Sequence, residues 1–313
     1  MAAYIIRRLF ISIPVLIGAT FLVFMVMHLS PGDPAQLMAG DGASPQDVEL
    51  LRQKLGLDKP LLVQYATYME NVVSLDFGRS IRSNREVLPE LMTYFGNTME
   101  LAVLGTLIAA VVGVTLGVLA AIRQNSWLDN LVMSFSLVGL SLPIFLLGVL
   151  FVLVFSSLWP VFPATGRGGP IWTLEGFQHA FLPALTLGLS AAGVIARLSR
   201  SAMLEVLHEE YIRTAMAKGL RVAKVIVKHA LRNASVPITT IIGLEFGYLL
   251  GGAVVTESIF AWPGVGRLTV DAIMAKDFPV VQGAVLLIVL VFVLVNLVVD
   301  LLYAILDPRI SYD

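Results

Sequence analysis

Covalent chemistry needs nucleophiles, acids, bases or metal ligands at workable spacing, and this chain offers few. Its four histidines, His28, His179, His208 and His229, stand singly, with no HExxH and no paired metal spacing. It has no cysteine, which removes thiolate ligands, a thiol nucleophile and any disulfide framework. Ser190 lies in GLSAAG, outside the GxSxG frame of a nucleophile elbow and without a histidine in the same apolar run. No GxxxxGK followed by Ser or Thr occurs, so no phosphate loop for ATP is recognisable. What remains is electrostatic: one carboxylate, Glu245, inside an apolar run, and one basic stretch, Arg197 to Pro237, between two such runs.

Glu245 sits near the middle of PITTIIGLEFGYLLGGAVVTE. A carboxylate is costly in hydrocarbon and normally faces a bundle interior or a water-filled cavity. Gly243, Gly247, Gly251 and Gly252 leave a side-chain-poor face beside it, which fits either the lining of a translocation path or a buried structural acid.

The basic stretch holds eight Lys and Arg against three acids, the bias of a cytoplasmic loop. Glu209 and Glu210 at a helix start, Lys218 in a last turn and Gly219 as a left-handed stop predict a short helix near 209 to 218. Leu207, Tyr211, Thr214, Ala215 and Lys218 recur on it at three- and four-residue spacing, a small-residue face suited to a partner's groove. From Arg221 to Asn233, Arg221, Lys224, Lys228 and Arg232 form one stripe and Val222, Val225, Ile226 and Ala230 another. That is the pattern of a helix at a membrane surface, so the stretch is either a docking surface or an interfacial anchor.

These features must be carried by a membrane protein. Of 313 residues, 57% are hydrophobic and only 14% charged, where soluble domains approach about one quarter charged. Six apolar runs, near 9–28, 99–122, 131–156, 181–203, 235–256 and 281–304, reach the length of about 20 residues that a helical crossing needs. Arg7 and Arg8 before the first run place the N-terminus in the cytoplasm, and an even number of crossings returns the C-terminus there. The organisation expected is a cytoplasmic N-terminus with the first helix (1–28), an exterior helical subdomain (29–98), a five-helix core (99–304) containing a cytoplasmic loop (204–234), and a cytoplasmic tail (305–313).

Within that plan, Ser30 to Pro34 reads as a turn, and Gly113 and Gly117 form a GxxxG suited to close helix packing. Pro143 interrupts the third run and can kink it. Pro183 opens the fourth, and Trp262, Pro263 and Gly264 suggest a tight exterior turn anchored at the membrane interface by the indole.

Taken together the residues resemble a known family. YIRTAMAKGL at 211–220 followed by KHALRNASVP at 228–237 resembles the coupling-loop signature of permease subunits of bacterial ATP-binding-cassette (ABC) importers, in the dipeptide, oligopeptide, nickel and glutathione branch. LSPGDPA (29–35), LGLDKPLLVQY (55–65), DFGRSI (76–81), LPALTLG (182–188), GLEFGYLLGGAVVTESIFAWPGVGRL (243–268) and NLVVDLLYAILDPRI (296–310) extend the likeness along the chain. Arg213 stands where the general importer signature has a glutamate, six residues before Gly219.

The resemblance implies an all-α, six-helix type I importer permease in the bacterial inner membrane. The implied partners are a second, similar permease, two cytoplasmic ATPases, a periplasmic or lipid-anchored binding protein and membrane lipids, with no nucleic acid. ATP and Mg belong to the ATPases, and none is expected on this chain. Glu210, Tyr211, Arg213, Thr214, Ala215, Lys218 and Gly219 would couple to an ATPase, Glu245, Gly247 and Gly251 would line the path, and Trp262, Pro263 and Gly264 would form an exterior gate or loop. Peptides are the expected substrates, with glutathione, nickel complexes and opines as alternatives. The rival from another class is a stand-alone proton-coupled transporter using Glu245. An intramembrane hydrolase lacks a visible nucleophile and base.

Overall fold

A computed structural model describes residues 2–29, 34–39 and 42–306, and apart from one isolated β-bridge between Arg79 and Glu86 its regular structure is helical. The first apolar run forms α1 (Ala2–Leu29). Three short helices follow, α2 (Pro34–Ala39), α3 (Pro45–Lys54) and α4 (Leu61–Val73), and then the long α5 (Val87–Ile122). α6 (Trp127–Ser141) and α7 (Ile144–Val152) share the third run, and α8 (Leu174–Leu207) carries the fourth. The basic stretch folds as α9 (Glu210–Ala217) and α10 (Val222–Lys224) and leads into α11 (Leu231–Ile259), after which come α12 (Val265–Met274) and α13 (Phe278–Leu306). Of the turn expected at Ser30 to Pro34, residues 30–33 lie outside the described residues, as does the chain from residue 307, and Pro34 opens α2.

Each expected apolar run falls on helix. Among the described residues α5, α8, α11 and α13 are long and apolar enough to cross a membrane, and α1 contributes the apolar stretch Phe10–Val26. The third run qualifies only as a broken pair, bent by 100° between α6 and α7. The break is the work of Pro143. It stands at the N-cap of α7, and a residue before proline is pushed out of helical conformation, as Leu142 is with ψ 125. Pro183 behaves otherwise than expected. It lies inside α8, which starts at Leu174 because Thr173 Oγ1 accepts the Gly176 N–H at 3.1 Å. One missing backbone donor does not end a helix whose start is capped and whose flank is buried.

The chain divides into two compact units: Asn97–Pro263 with the chain from Phe292 onward, and Ala2–Gly96 with Gly264–Val291. In the first, α8 is the central helix. α5 lays its glycines on it so closely that a Cβ on Gly113 would lie 2.8 Å from Ile195 Cβ and one on Gly117 2.4 Å from the Ala196 carbonyl oxygen. The GxxxG is therefore a packing device. Asp129, 2% exposed near the start of α6, receives Arg200 of α8 through Nε at 2.6 Å and a second guanidinium nitrogen at 2.7 Å. In the second unit Val87, Leu91, Val265, Ala272, Val280 and Ala284 form a core. Buried Asp277 accepts hydrogen bonds from Ser80 Oγ at 2.5 Å and Ile81 N at 3.1 Å, fixing the 80–83 turn.

Candidate functional site

The short helix expected near 209 to 218 is α9, and Gly219 follows it with φ +76. No atom comes within 4 Å of a Cβ built there, so conformation and not space demands the glycine. Two of its side chains point inward. Ile212 is buried, and Ala215, only 8% exposed, joins it in a core with Met203, Val225, Ala230, Ala234 and Ile238. Tyr211, Arg213, Thr214, Met216, Ala217 and Lys218 form the exposed side. The small-residue face thus divides, with Ala215 seating the helix and Tyr211, Thr214 and Lys218 left outside.

Tyr211 is steadied by Asn233 Nδ2, which donates to its hydroxyl at 2.5 Å. Val225–Ala230 form a π-helical turn between α10 and α11. Its wider winding brings Val225 and Ala230, five apart, to one buried face while Arg221, Lys224, Lys228 and Arg232 stay in the open. Arg200 is not part of this free basic surface, because Asp129 holds it.

On α11 an open face consists of Pro237, Leu244, Tyr248, Gly251 and Val255, with Tyr248 71% exposed. Glu245 is half-buried at the flank of that face and has no hydrogen-bond or ion-pair partner among the described residues. Gly251 meets nothing within 4 Å, whereas a Cβ on Gly247 would touch Val295 of α13 at 3.4 Å. Of the three residues expected together along a path, Gly251 and Glu245 border the open face and Gly247 faces a neighbouring helix.

Trp262 is not an interfacial anchor. It is fully buried, its indole N–H donates to the Asn97 carbonyl at 3.0 Å, and its ring belongs to the core around Leu101, Leu187 and Leu249. With its one donor satisfied, the indole can be buried without leaving an unpaired polar group. Asn97 also donates to the Pro263 carbonyl at 2.8 Å, and Gly264 stands at the N-cap of α12.

Sequence reasoning passed over the groups that surround this turn. Arg167 makes a bidentate pair with Glu100, at 2.9 and 3.1 Å, and lies 5.9 Å over the Trp262 ring. Glu257, wholly buried, accepts from Thr98 Oγ1 at 2.6 Å. The only signal available was opposite charge near the ends of apolar runs, which spacing alone cannot pair.

Comparison with known proteins covers nearly the whole chain. Residues 113–312 match the family described as "Binding-protein-dependent transport system inner membrane component", and residues 1–102 match the N-terminal region of such membrane components. The dipeptide transport system permease protein DppB of Alkalihalophilus pseudofirmus is 44% identical, with all of both chains covered. The glutathione transport system permease protein GsiC of Escherichia coli K12 is 45% identical, again over all of both chains. Among solved structures, the inward-facing MetNI methionine ABC transporter has a chain that superposes with TM-score 0.56 at 18% identity, covering 69% of this chain and 96% of that one. This last likeness speaks to the fold alone.

Proposed function

The chain belongs to the family of binding-protein-dependent transport system inner membrane components, and from that premise we propose how its parts divide the work of peptide import. It is an integral inner-membrane permease subunit of an ABC importer and works inside a transporter complex. The proposal adds that α9 docks in a cleft of a cytoplasmic ATPase, that both termini share that side, and that the open face of α11 meets the path and a second, similar permease. A binding protein delivers substrate from outside. ATP and Mg stay on the ATPases, and this chain binds neither. Short peptides are the substrates proposed, a class that includes the dipeptides and glutathione named for the two relatives.

The observation that carries this reading is the seating of α9. Ile212 and Ala215 are buried in a core that includes Met203 of α8 and Ala234 and Ile238 of α11, so a push on the exposed side of α9 reaches two spanning helices through packed side chains. For that push to drive transport, the ATPase contact must differ in free energy between inward and outward states.

The lack of native cysteine makes the test direct. Ala215 is buried, so the probe goes at Met216→Cys, paired with a cysteine in the ATPase cleft and oxidised in membranes with and without ATP. Efficient cross-linking that ATP alters supports coupling through α9. Absence of a cross-link in a well-inserted chain, tried with several ATPases, overturns α9 as the coupling element.

A further inference from the structure

The second unit holds a cavity of about 460 Å³ formed by the end of α1, the α3–α4 turn, α4 and the start of α13. His28, Arg52, Lys54 and Lys59 line it together with Phe24, Ile81 and Phe278, and among the described residues no carboxylate does. Arg52 is paired with Glu49 at 3.0 Å, while Lys54 and Lys59 make no ion pair among the described residues.

Gln64 fixes the chemistry of the rim. Its Nε2 donates to the carbonyls of Leu57 at 3.1 Å and Lys59 at 2.7 Å, which turns its Oε1 toward His28 Nε2 at 2.9 Å. His28 Nδ1 faces the Phe24 carbonyl at 2.9 Å, so both ring nitrogens are engaged and the imidazole is held in place at the rim. Tyr68, also in the wall, has a buried hydroxyl without a hydrogen-bond partner among the described residues. Burial, with a smaller contribution from Tyr65, pushes that hydroxyl above its ordinary pKa and keeps it a neutral donor.

The level of the cavity in the membrane follows from α4. Tyr65 Oη hydrogen-bonds Thr20 Oγ1 at 2.9 Å and donates to the Ile17 carbonyl at 3.3 Å, and its ring lies 5.6 Å from Phe21 and 5.4 Å from Phe24. α4 therefore crosses α1 within the apolar stretch Phe10–Val26, its contact with Phe21 about 8 Å below Val26 at 1.5 Å of rise per residue. Leu61, Leu62 and Val63 at the start of α4, and Leu55 before it, are exposed, Leu62 at 80%. Gln64, next to these residues, meets His28 two positions beyond Val26, so exposed apolar side chains and the cavity's cations stand together near the end of the apolar stretch, the arrangement of a helix lying in a bilayer interface.

We propose that this cavity binds the phosphate head group of an anionic phospholipid of the outer leaflet, with Lys54 and Lys59 at the phosphate and the acyl chains along Leu61 and Leu62. A site at this depth meets lipid before it meets a solute in water, and cations at head-group level attract anionic lipid. The inference rests on the topology proposed above, with the start of α1 in the cytoplasm.

The test uses the full chain in detergent, with dioleoylphosphatidylglycerol and dioleoylphosphatidylcholine added in parallel and read by native mass spectrometry and thermal unfolding. The expected result is selective retention of phosphatidylglycerol with a raised Tm. The double variant Lys54→Gln, Lys59→Gln should bind it about 30-fold more weakly, with lipid-free Tm unchanged because both lysines are exposed.

Equal retention of the two lipids, or undiminished phosphatidylglycerol binding by the double variant, overturns the proposal. So does equal stabilisation by inorganic phosphate, which marks a free-anion site, or displacement of the lipid by a dipeptide, which marks a substrate subsite. Topology is checked separately with Asp58→Cys and a membrane-impermeant maleimide on intact cells. Labelling from outside leaves the lipid result to decide, and labelling only after permeabilisation overturns the topology itself.

Discussion

Glycine recurs at four-residue spacing on α5, at Gly113 and Gly117, and on α11, at Gly243, Gly247 and Gly251, yet a Cβ added along the two rows meets different surroundings. On α5 it would press within 2.8 Å of Ile195 and 2.4 Å of the Ala196 carbonyl oxygen, atoms of α8 that cannot withdraw. On α11 the row opens step by step, from 2.5 Å to Val299 Cγ2 at Gly243, through 3.4 Å to Val295 at Gly247, to nothing within 4 Å at Gly251. The same residue type thus seals one helix pair and, on the other helix, clears a surface that its own chain leaves uncovered. Small side chains mark close approach or free space, and only the neighbour tells which.

The contrast breaks most sharply at Gly117. Gly117→Leu should abolish accumulation of folded chain in membranes, and Gly117→Ala should lower stability by about 1–3 kcal/mol, read as a drop in Tm of the detergent-solubilised protein. A Tm within error of wild type for Gly117→Ala would show that the α5–α8 contact relaxes and would remove the basis of the comparison.

Gly243→Ala should cost about 1–2 kcal/mol, because the obstacle is the Val299 side chain at 2.5 Å and not backbone, although a β-branched side chain in a helix has little freedom to turn. Gly219→Val, which forces a β-branched residue to φ +76, should cost about 1–2 kcal/mol locally. It should uncouple ATP hydrolysis from uptake in the assembled transporter while the spanning helices stay inserted. Gly251→Ala should leave Tm and uptake unchanged, whereas Gly251→Trp should reduce uptake at unchanged Tm; loss of stability in Gly251→Trp would mean that the open face is packed within the single chain.

Much of the fold was legible because hydrocarbon is an uncompromising solvent. A run of about 20 apolar residues has few alternatives to helix, and the expected runs fall on helices, including the one that Pro143 breaks. The stop at Gly219 was legible too, since the left-handed conformation excludes most other residues. Pro183 misled because a proline signals a helix start only where no better cap lies upstream, and Thr173 is one. Trp262 misled because an indole suits an interface and a core equally well until its N–H finds a partner, here the Asn97 carbonyl.

The sequence by itself determined the class of the molecule, the positions of its apolar helices, the basic stretch with its short helix, and the family, since each depends on local composition or on a contiguous motif. Tertiary structure alone decided which side of α9 is exposed, which glycines are pressed and which are free, and that Arg200 belongs to Asp129, Arg167 to Glu100 and Asp277 to the 80–83 turn. Those pairings join residues tens to hundreds of positions apart. Burial and hydrogen bonding depend on what the folded chain brings alongside, and spacing along the sequence carries no record of it.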